Sequence, residues 1–160
     1  MQNPVQQALD HLEILNLYAT YTYAVDEMDV DGFVECFISD ATIDLSSFVI
    51  ARRRHGDAVF GQFLDEHGVA RGRENLRKLV STELGFHHAT TNIRIEFPEK
   101  DRARGTAYFV VFTKDEGRIE HYGRYEDDLV RCDDSKWRFS SRVDVAIYER
   151  DHALPHNHPA

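Results

Sequence analysis

Three residues carry side chains suited to moving a proton at neutral pH and sit where a folding pattern does not need them: Asp26, His87 and His88. Histidine titrates near neutrality, so it can take a proton in one step and return it in another. An aspartate beside it holds the imidazole in one tautomer and favours the protonated ring. Asp26 ends an amphipathic stretch. At about 100° per residue it shares a helix side with Leu15 and Thr22, at the edge of the apolar arc. An acid near a helix C-terminus opposes the macrodipole, which makes a purely stabilising role less comfortable. His87 and His88 open a strand and point to opposite faces. Strict alternation from Ile93 puts His87 on the apolar face and His88 with Asn92, Arg94 and Glu96. A bulge within Ala89-Thr90-Thr91 reverses that assignment.

Further polar candidates surround these three. Tyr21 and Tyr23 lie one helical turn or so before Asp26, with Tyr21 in the apolar stripe, where core packing is the favoured reading from pattern alone. His121-Tyr122-Gly123-Arg124-Tyr125 mixes hydrogen-bond donors with a mid-strand glycine, a sign of a bulge or of close approach by another group. Arg142 and Asp144 alternate with Val143 and Val145, which reads as an outward pair of charges in cross-strand ion pairs. No G-x-S-x-G, Walker loop or dinucleotide fingerprint occurs. The terminal histidines His152, His156 and His158 lack a cysteine or carboxylate at ligand spacing, so no metal is expected.

The elements that must position these groups follow from periodicity. Asn3-Pro4 is a helix start, with Gln6 as capping-box partner. Ile14, Leu17, Tyr18, Tyr21 and Val25 form one buried stripe of a helix over residues 4–27. Asp29 or Asp31 caps a shorter helix that buries Phe33, Cys36 and Phe37, and a strand is expected over 41–48. Residues 57–66 suggest a short helix, and residues 73–84 another that stops at Gly85. Thereafter the period is two: strands around Ile93–Phe97, Thr106–Thr113, Ile119–Arg131 and Lys136–Tyr148. Helices first, then long strands joined by short turns, predict an α+β fold with an antiparallel sheet. The expected organisation is a single domain over 1–150 with a short tail at 151–160.

Composition bounds the function. The 160 residues are 42% hydrophobic and 29% charged, enough to bury a core without metal or disulfide. Cys36 and Cys132 read as buried free thiols in a reducing compartment, so a cytoplasmic location is expected. No run approaches the roughly 18 apolar residues of a membrane helix, and no signal peptide is evident. A net charge of −9 argues against nucleic acid, whose phosphates demand a basic surface. Arg52-Arg53-Arg54, set among apolar and acidic residues, reads as a solvated loop.

Taken in order, several motifs resemble the SnoaL-like group of the nuclear transport factor 2-like superfamily. They are Tyr21-Thr22-Tyr23-Ala24-Val25-Asp26, Phe33 to Ala41, and Ala70-Arg71-Gly72-Arg73-Glu74-Asn75-Leu76. They continue with His87-His88-Ala89-Thr90-Thr91-Asn92-Ile93, Gly123-Arg124-Tyr125, and Lys136-Trp137-Arg138-Phe139 to Arg142. The resemblance implies a cystatin-like cone, with N-terminal helices packed on a strongly curved, mostly antiparallel sheet, and a homodimer or higher homo-oligomer. Its members include scytalone dehydratase, hexachlorocyclohexane dehydrochlorinase and bile-acid 7α-dehydratase, which use an Asp–His pair for elimination without a cofactor. It therefore implies Asp26 and His88 as the pair, Tyr21 as an assisting tyrosine, and the bulge rather than strict alternation. Tyr23, His87, Asn92, His121, Tyr122 and Arg124 are the expected substrate contacts, for a small, largely apolar cyclic substrate. The same superfamily also holds non-catalytic small subunits of ring-hydroxylating dioxygenases, so a binding or assembly module is the alternative. Residues 46–70 exceed what short members carry, so their role does not transfer.

Overall fold

The computed structural model describes residues 3–48, 62–81 and 85–149. Helix α1 spans Pro4–Asp26. Asn3 caps it by accepting the Val5 N–H, and Pro4 occupies the first turn, where a missing N–H costs nothing. Gln6 makes no capping box; its Nε2 donates to Asp10 Oδ1 at 2.8 Å instead. The helix ends in a Schellman turn. Met28 adopts φ 58°, its N–H donates to Val25 O and the Asp29 N–H to Ala24 O. Helix α2, Val30–Glu35, follows at once, with the Asp29 carboxylate accepting the Gly32 N–H.

Strand β1, Phe37–Asp44, starts and ends earlier than the apolar pattern suggests, because residues 46–48 turn helical. Strand β2, Val69–Arg71, leads into helix α3, Gly72–Val80, which buries Leu76, Leu79 and Val80. Residues 57–61 of the helix expected over 57–66 lie outside the described residues, and 62–66 form turns and no α-helix. Four long strands complete the chain: β3 (Phe86–Glu99), β4 (Arg102–Thr113), β5 (Ile119–Arg131) and β6 (Trp137–Glu149).

The sheet order is β2-β1-β6-β5-β4-β3. All pairings are antiparallel except β1 with β6, which is parallel, so the sheet is mixed rather than purely antiparallel. Helix α1 lies across its inner face, where Tyr18, Tyr21, Phe37 and Phe139 interlock edge-on. Phe139 is fully buried in this cluster, and its truncation to alanine would cost about 3–5 kcal/mol.

Three bulges decide which side chains face inward. In β3 the register slips between Thr91 and Arg94, with Asn92 at φ 54°, a conformation asparagine tolerates better than most residues. In β6 one extra residue intrudes at Ser140 and another at Ile147. Strand β5 has no such interruption within its buried set, so His121, Gly123, Tyr125, Asp127 and Leu129 all point inward. Gly123 is required there: a Cβ would sit 2.2 Å from Val145 O and 2.8 Å from the Phe109 ring.

Candidate active site

Asp26 is the last residue of α1, and β3 takes its side chain. Its carboxylate accepts the His88 backbone N–H at 3.0 Å on Oδ1 and 3.1 Å on Oδ2. His88 Nδ1 lies 2.7 Å from Oδ1, and His87 Nδ1 lies 3.2 Å from Oδ2. One carboxylate therefore clasps two consecutive residues of a strand. The helix end that carries it is neutralised by Lys114, whose Nζ donates to Asp26 O at 2.5 Å. A further tie, Thr22 Oγ1 to Thr90 Oγ1 at 3.0 Å, fixes α1 to β3 one step along.

Burial works against an ionised Asp26, but the hydrogen bonds from the His88 ring and backbone and from the His87 ring outweigh it. The carboxyl is held below its ordinary value. Asp26 is thus a carboxylate at neutral pH and only accepts hydrogen bonds. His88 must then carry its proton on Nδ1, and in the neutral ring the Nε2 lone pair becomes the base.

The His88 side chain is 6% exposed and lines a cavity. The β3 bulge explains why: Phe86, His88 and Thr90 point inward before Asn92, and Ile93, Ile95 and Phe97 after it. Strict alternation would put His87 on that face; the bulge that the resemblance implies puts His88 there instead, although it falls at Asn92 and not within Ala89-Thr90-Thr91. The His87 ring is 56% exposed at the rim.

The cavity occupies about 620 Å³ including its open mouth. Its walls are apolar: Val25 of α1, Phe33 of α2, Ile43 of β1, Leu79 and Val80 of α3, Phe109 and Val111 of β4, with Leu45, Phe48 and Leu64. Among the described residues, five polar ones interrupt them: Tyr21, His88, His121, Tyr125 and Asp144. Tyr21 and Tyr125 share a hydrogen bond, and burial raises the Tyr125 hydroxyl well above the ordinary tyrosine value.

Behind these tyrosines lies a buried ion pair. Arg142 donates to Asp127 in two bonds, Nε to Oδ1 at 2.7 Å and Nη2 to Oδ2 at 2.9 Å, and Tyr18 donates to the same carboxylate. The guanidinium packs against the rings of Tyr125, Tyr21 and Phe139 at 3.9, 4.1 and 4.4 Å. Burial alone would favour neutral Arg142, but the Asp127 charge outweighs it and keeps the cation. Arg142 and Asp144 are not the outward pair expected from their alternation with valines. The Ser140 bulge turns both inward, and Val143 and Val145 take the outer face.

The other expected contacts divide cleanly. Tyr21 and His121 line the cavity. Tyr23 is 72% exposed on the outer side of α1. Asn92 is spent on the bulge. Tyr122 stacks on Tyr148 at 5.2 Å on the outer sheet face, and Arg124 pairs with Glu126 there. All four lie away from the cavity: Tyr23 by its place on the outer side of α1, Asn92 by the β3 bulge, and Tyr122 and Arg124 because β5 alternates strictly from His121 onward. Tyr125, in phase with His121 on β5, also lines the cavity, although it is not among the expected substrate contacts. Asp144 had no signal, since the bulge four residues earlier, at Ser140, sets its face.

Among the described residues, no cluster of three or more His, Cys, Asp or Glu side chains is arranged to hold a metal ion. No described helix is long and apolar enough to cross a membrane.

Comparison with solved structures places the same fold in several bacterial proteins. One is a protein of unknown function with a cystatin-like fold from Nostoc punctiforme, 24% identical, with a TM-score of 0.69 over 92% of this chain and 96% of that one. A candidate scytalone dehydratase from Novosphingobium aromaticivorans is 19% identical, with a TM-score of 0.69 over 92% and 91%. LinA is 19% identical, with a TM-score of 0.69 over 98% and 97%. No curated protein sequence matches significantly. The SnoaL-like domain profile matches residues 6–143, nearly the whole of the described chain, and the protein belongs to that family.

Proposed function

We propose that this protein is a cofactor-independent lyase or isomerase that removes a proton from a small, largely apolar cyclic substrate. The observation that carries this reading is the 2.7 Å contact between Asp26 Oδ1 and His88 Nδ1, with His88 set in an apolar-walled cavity. His88 Nε2 is the base. Asp26 holds its tautomer and stabilises the imidazolium as it forms. The family supports the assignment, as do fold neighbours that include a candidate scytalone dehydratase and LinA. Rings of Phe33, Phe48 and Phe109 suit a flat or cyclic ligand. A carbonyl beside the reacting C–H would make the proton acidic enough for an imidazole.

The test is proton exchange. Cyclohexanone and 1-tetralone in D2O are followed by NMR for deuterium uptake next to the carbonyl. Catalysis by the wild type and its loss in His88→Gln are expected. Wild-type exchange no faster than buffer, or a variant as fast as wild type, would sink the reading.

The same reading includes a second copy of the chain as partner. The outer sheet face, opposite the cavity, exposes Tyr108, Tyr122, Ile147 and Tyr148.

A further inference from the structure

Hydroxide is a poor leaving group, so an elimination that expels it needs a proton donor at the departing oxygen, and the cavity holds a second imidazole besides the base. The residues of one row across the sheet are His88 of β3, Val111 of β4, His121 of β5 and Glu149 of β6, each paired with the next in register. His88 and His121 thus face the same cavity from strands two apart, with only Val111 between them. Each strand step is about 4.8 Å, so their backbones stand about 10 Å apart. In a 1,2-elimination the reacting carbon and the leaving oxygen are about 2.4 Å apart, and each catalytic nitrogen approaches its atom to about 3 Å. A base and an acid serving one substrate therefore need nitrogens about 8 Å apart, a separation within reach of side chains that leave one sheet face from backbones about 10 Å apart.

We infer that His121 is the general acid of a dehydration, protonating the leaving hydroxyl while His88 takes the proton from the neighbouring carbon. This rests on the reading of Asp26 and His88 as the base pair and specifies the substrate as a cyclic β-hydroxy carbonyl compound. His88 Nε2 accepts the proton from the carbon beside the carbonyl, and that C–H electron pair becomes the new C=C bond. The C–O pair leaves with the oxygen, which receives the His121 proton and departs as water. His88 ends protonated and His121 neutral, and exchange of one proton through solvent resets both.

The other polar groups of the cavity suit this role less. Tyr125 is a weak acid, because burial disfavours its phenolate, and its hydroxyl is engaged with Tyr21. Asp144 only accepts when ionised. His121 is 8% exposed, held edge-on between Phe48 and Phe109 with ring centroids at 5.2 and 6.0 Å. Glu149, also buried, stands beside it in register as the carboxylate placed to support a cationic ring. Among the described residues, the titratable groups around His121 are thus Glu149 and Asp144 on β6, Tyr125 on its own strand and His88 across Val111.

The test changes the leaving group. Elimination of 3-hydroxycyclohexanone and of 3-(4-nitrophenoxy)cyclohexanone gives the same enone, followed by its absorbance, but only the alcohol needs an acid. In His121→Gln, and in His121→Phe, which keeps the ring packing, the rate for the alcohol should fall at least about 100-fold more than that for the nitrophenyl ether. His88→Gln should slow both alike. Equal losses on the two probes in folded His121 variants, or no loss on the alcohol, would overturn the acid role while leaving the base intact. A wild type that eliminates neither probe would overturn it together with the base assignment, whereas elimination of the ether alone would overturn the acid role only.

Discussion

Asp26 holds His88 at two points, the ring through Nδ1 at 2.7 Å and the backbone N–H through both carboxylate oxygens. The double grip couples the last turn of α1 to the first residues of β3, so ring orientation and strand position are set by one side chain. Replacing Asp26 by asparagine should therefore cost more rate than stability. The amide oxygen still accepts one bond, but the charge that stabilises imidazolium is gone. Proton exchange should drop by about 10²-fold or more, with unfolding free energy reduced by about 1–3 kcal/mol. Chemical denaturation alongside the NMR exchange assay checks both. A variant that loses stability alone would make the pair scaffold.

The same carboxylate sets a pH signature. Its native value lies below the ordinary 3.8, so ionised Asp26 favours the folded state. That contribution is fully present above the ordinary value. It begins to fade as pH falls past 3.8 and is lost once pH passes below the lowered native value. Comparing wild type with Asp26→Asn by denaturation from pH 6 down to about pH 2, the stability gap should narrow in acid. A constant gap across that range would contradict the assignment.

How far the sequence could be read depended on bulges. The apolar stripe of α1, its Asn3-Pro4 start and the Asp29 cap are local features, and each appears as expected. The strands of period two were equally legible, down to the close approach at Gly123. Which face a given residue occupies was not. A single extra residue at Asn92 reverses His87 and His88, and another at Ser140 brings Arg142 and Asp144 indoors. The hint at Asn92 was its tolerance of positive φ; Ser140 offered none. An apolar outer face on β6 added to the error, since Val143 and Val145 looked like core. The parallel pairing of β1 with β6 is a long-range contact with no local trace.

The buried pair of Arg142 and Asp127 should behave as a unit. Both side chains are fully buried, so removing one charge strands the other. Arg142→Met or Asp127→Asn should each destabilise the fold by about 3–5 kcal/mol. The double variant should lose less than the sum, because no unpaired charge remains. Urea denaturation of the four proteins gives the coupling directly. Additive losses would mean that Tyr18 and the ring cage, rather than the ion pair, carry the stability.

The outer face of the sheet yields the last prediction. Tyr122 and Tyr148 are register partners there, stacked at 5.2 Å with 14° between ring planes. With Tyr108 and Ile147 they form an apolar patch that no helix of the described chain covers. Ion pairs of Arg124 with Glu126 and Arg104 with Asp128 flank it, giving a charged border around an aromatic centre. Aromatic centres with polar rims are the usual anatomy of protein interfaces. A second copy pairing through this face would leave the cavity untouched, since the cavity lies on the other side of the same strands. Sedimentation at micromolar concentrations should therefore give a dimer mass for wild type and a monomer mass for the Tyr122→Glu, Tyr148→Glu double variant. The double variant also loses the stacked ring pair and sets two like charges opposite each other, so its melting temperature falls in any case; loss of the partner is read from a melting temperature that no longer depends on protein concentration. A wild type that sediments as a monomer, or a double variant that remains dimeric, would move the interface elsewhere.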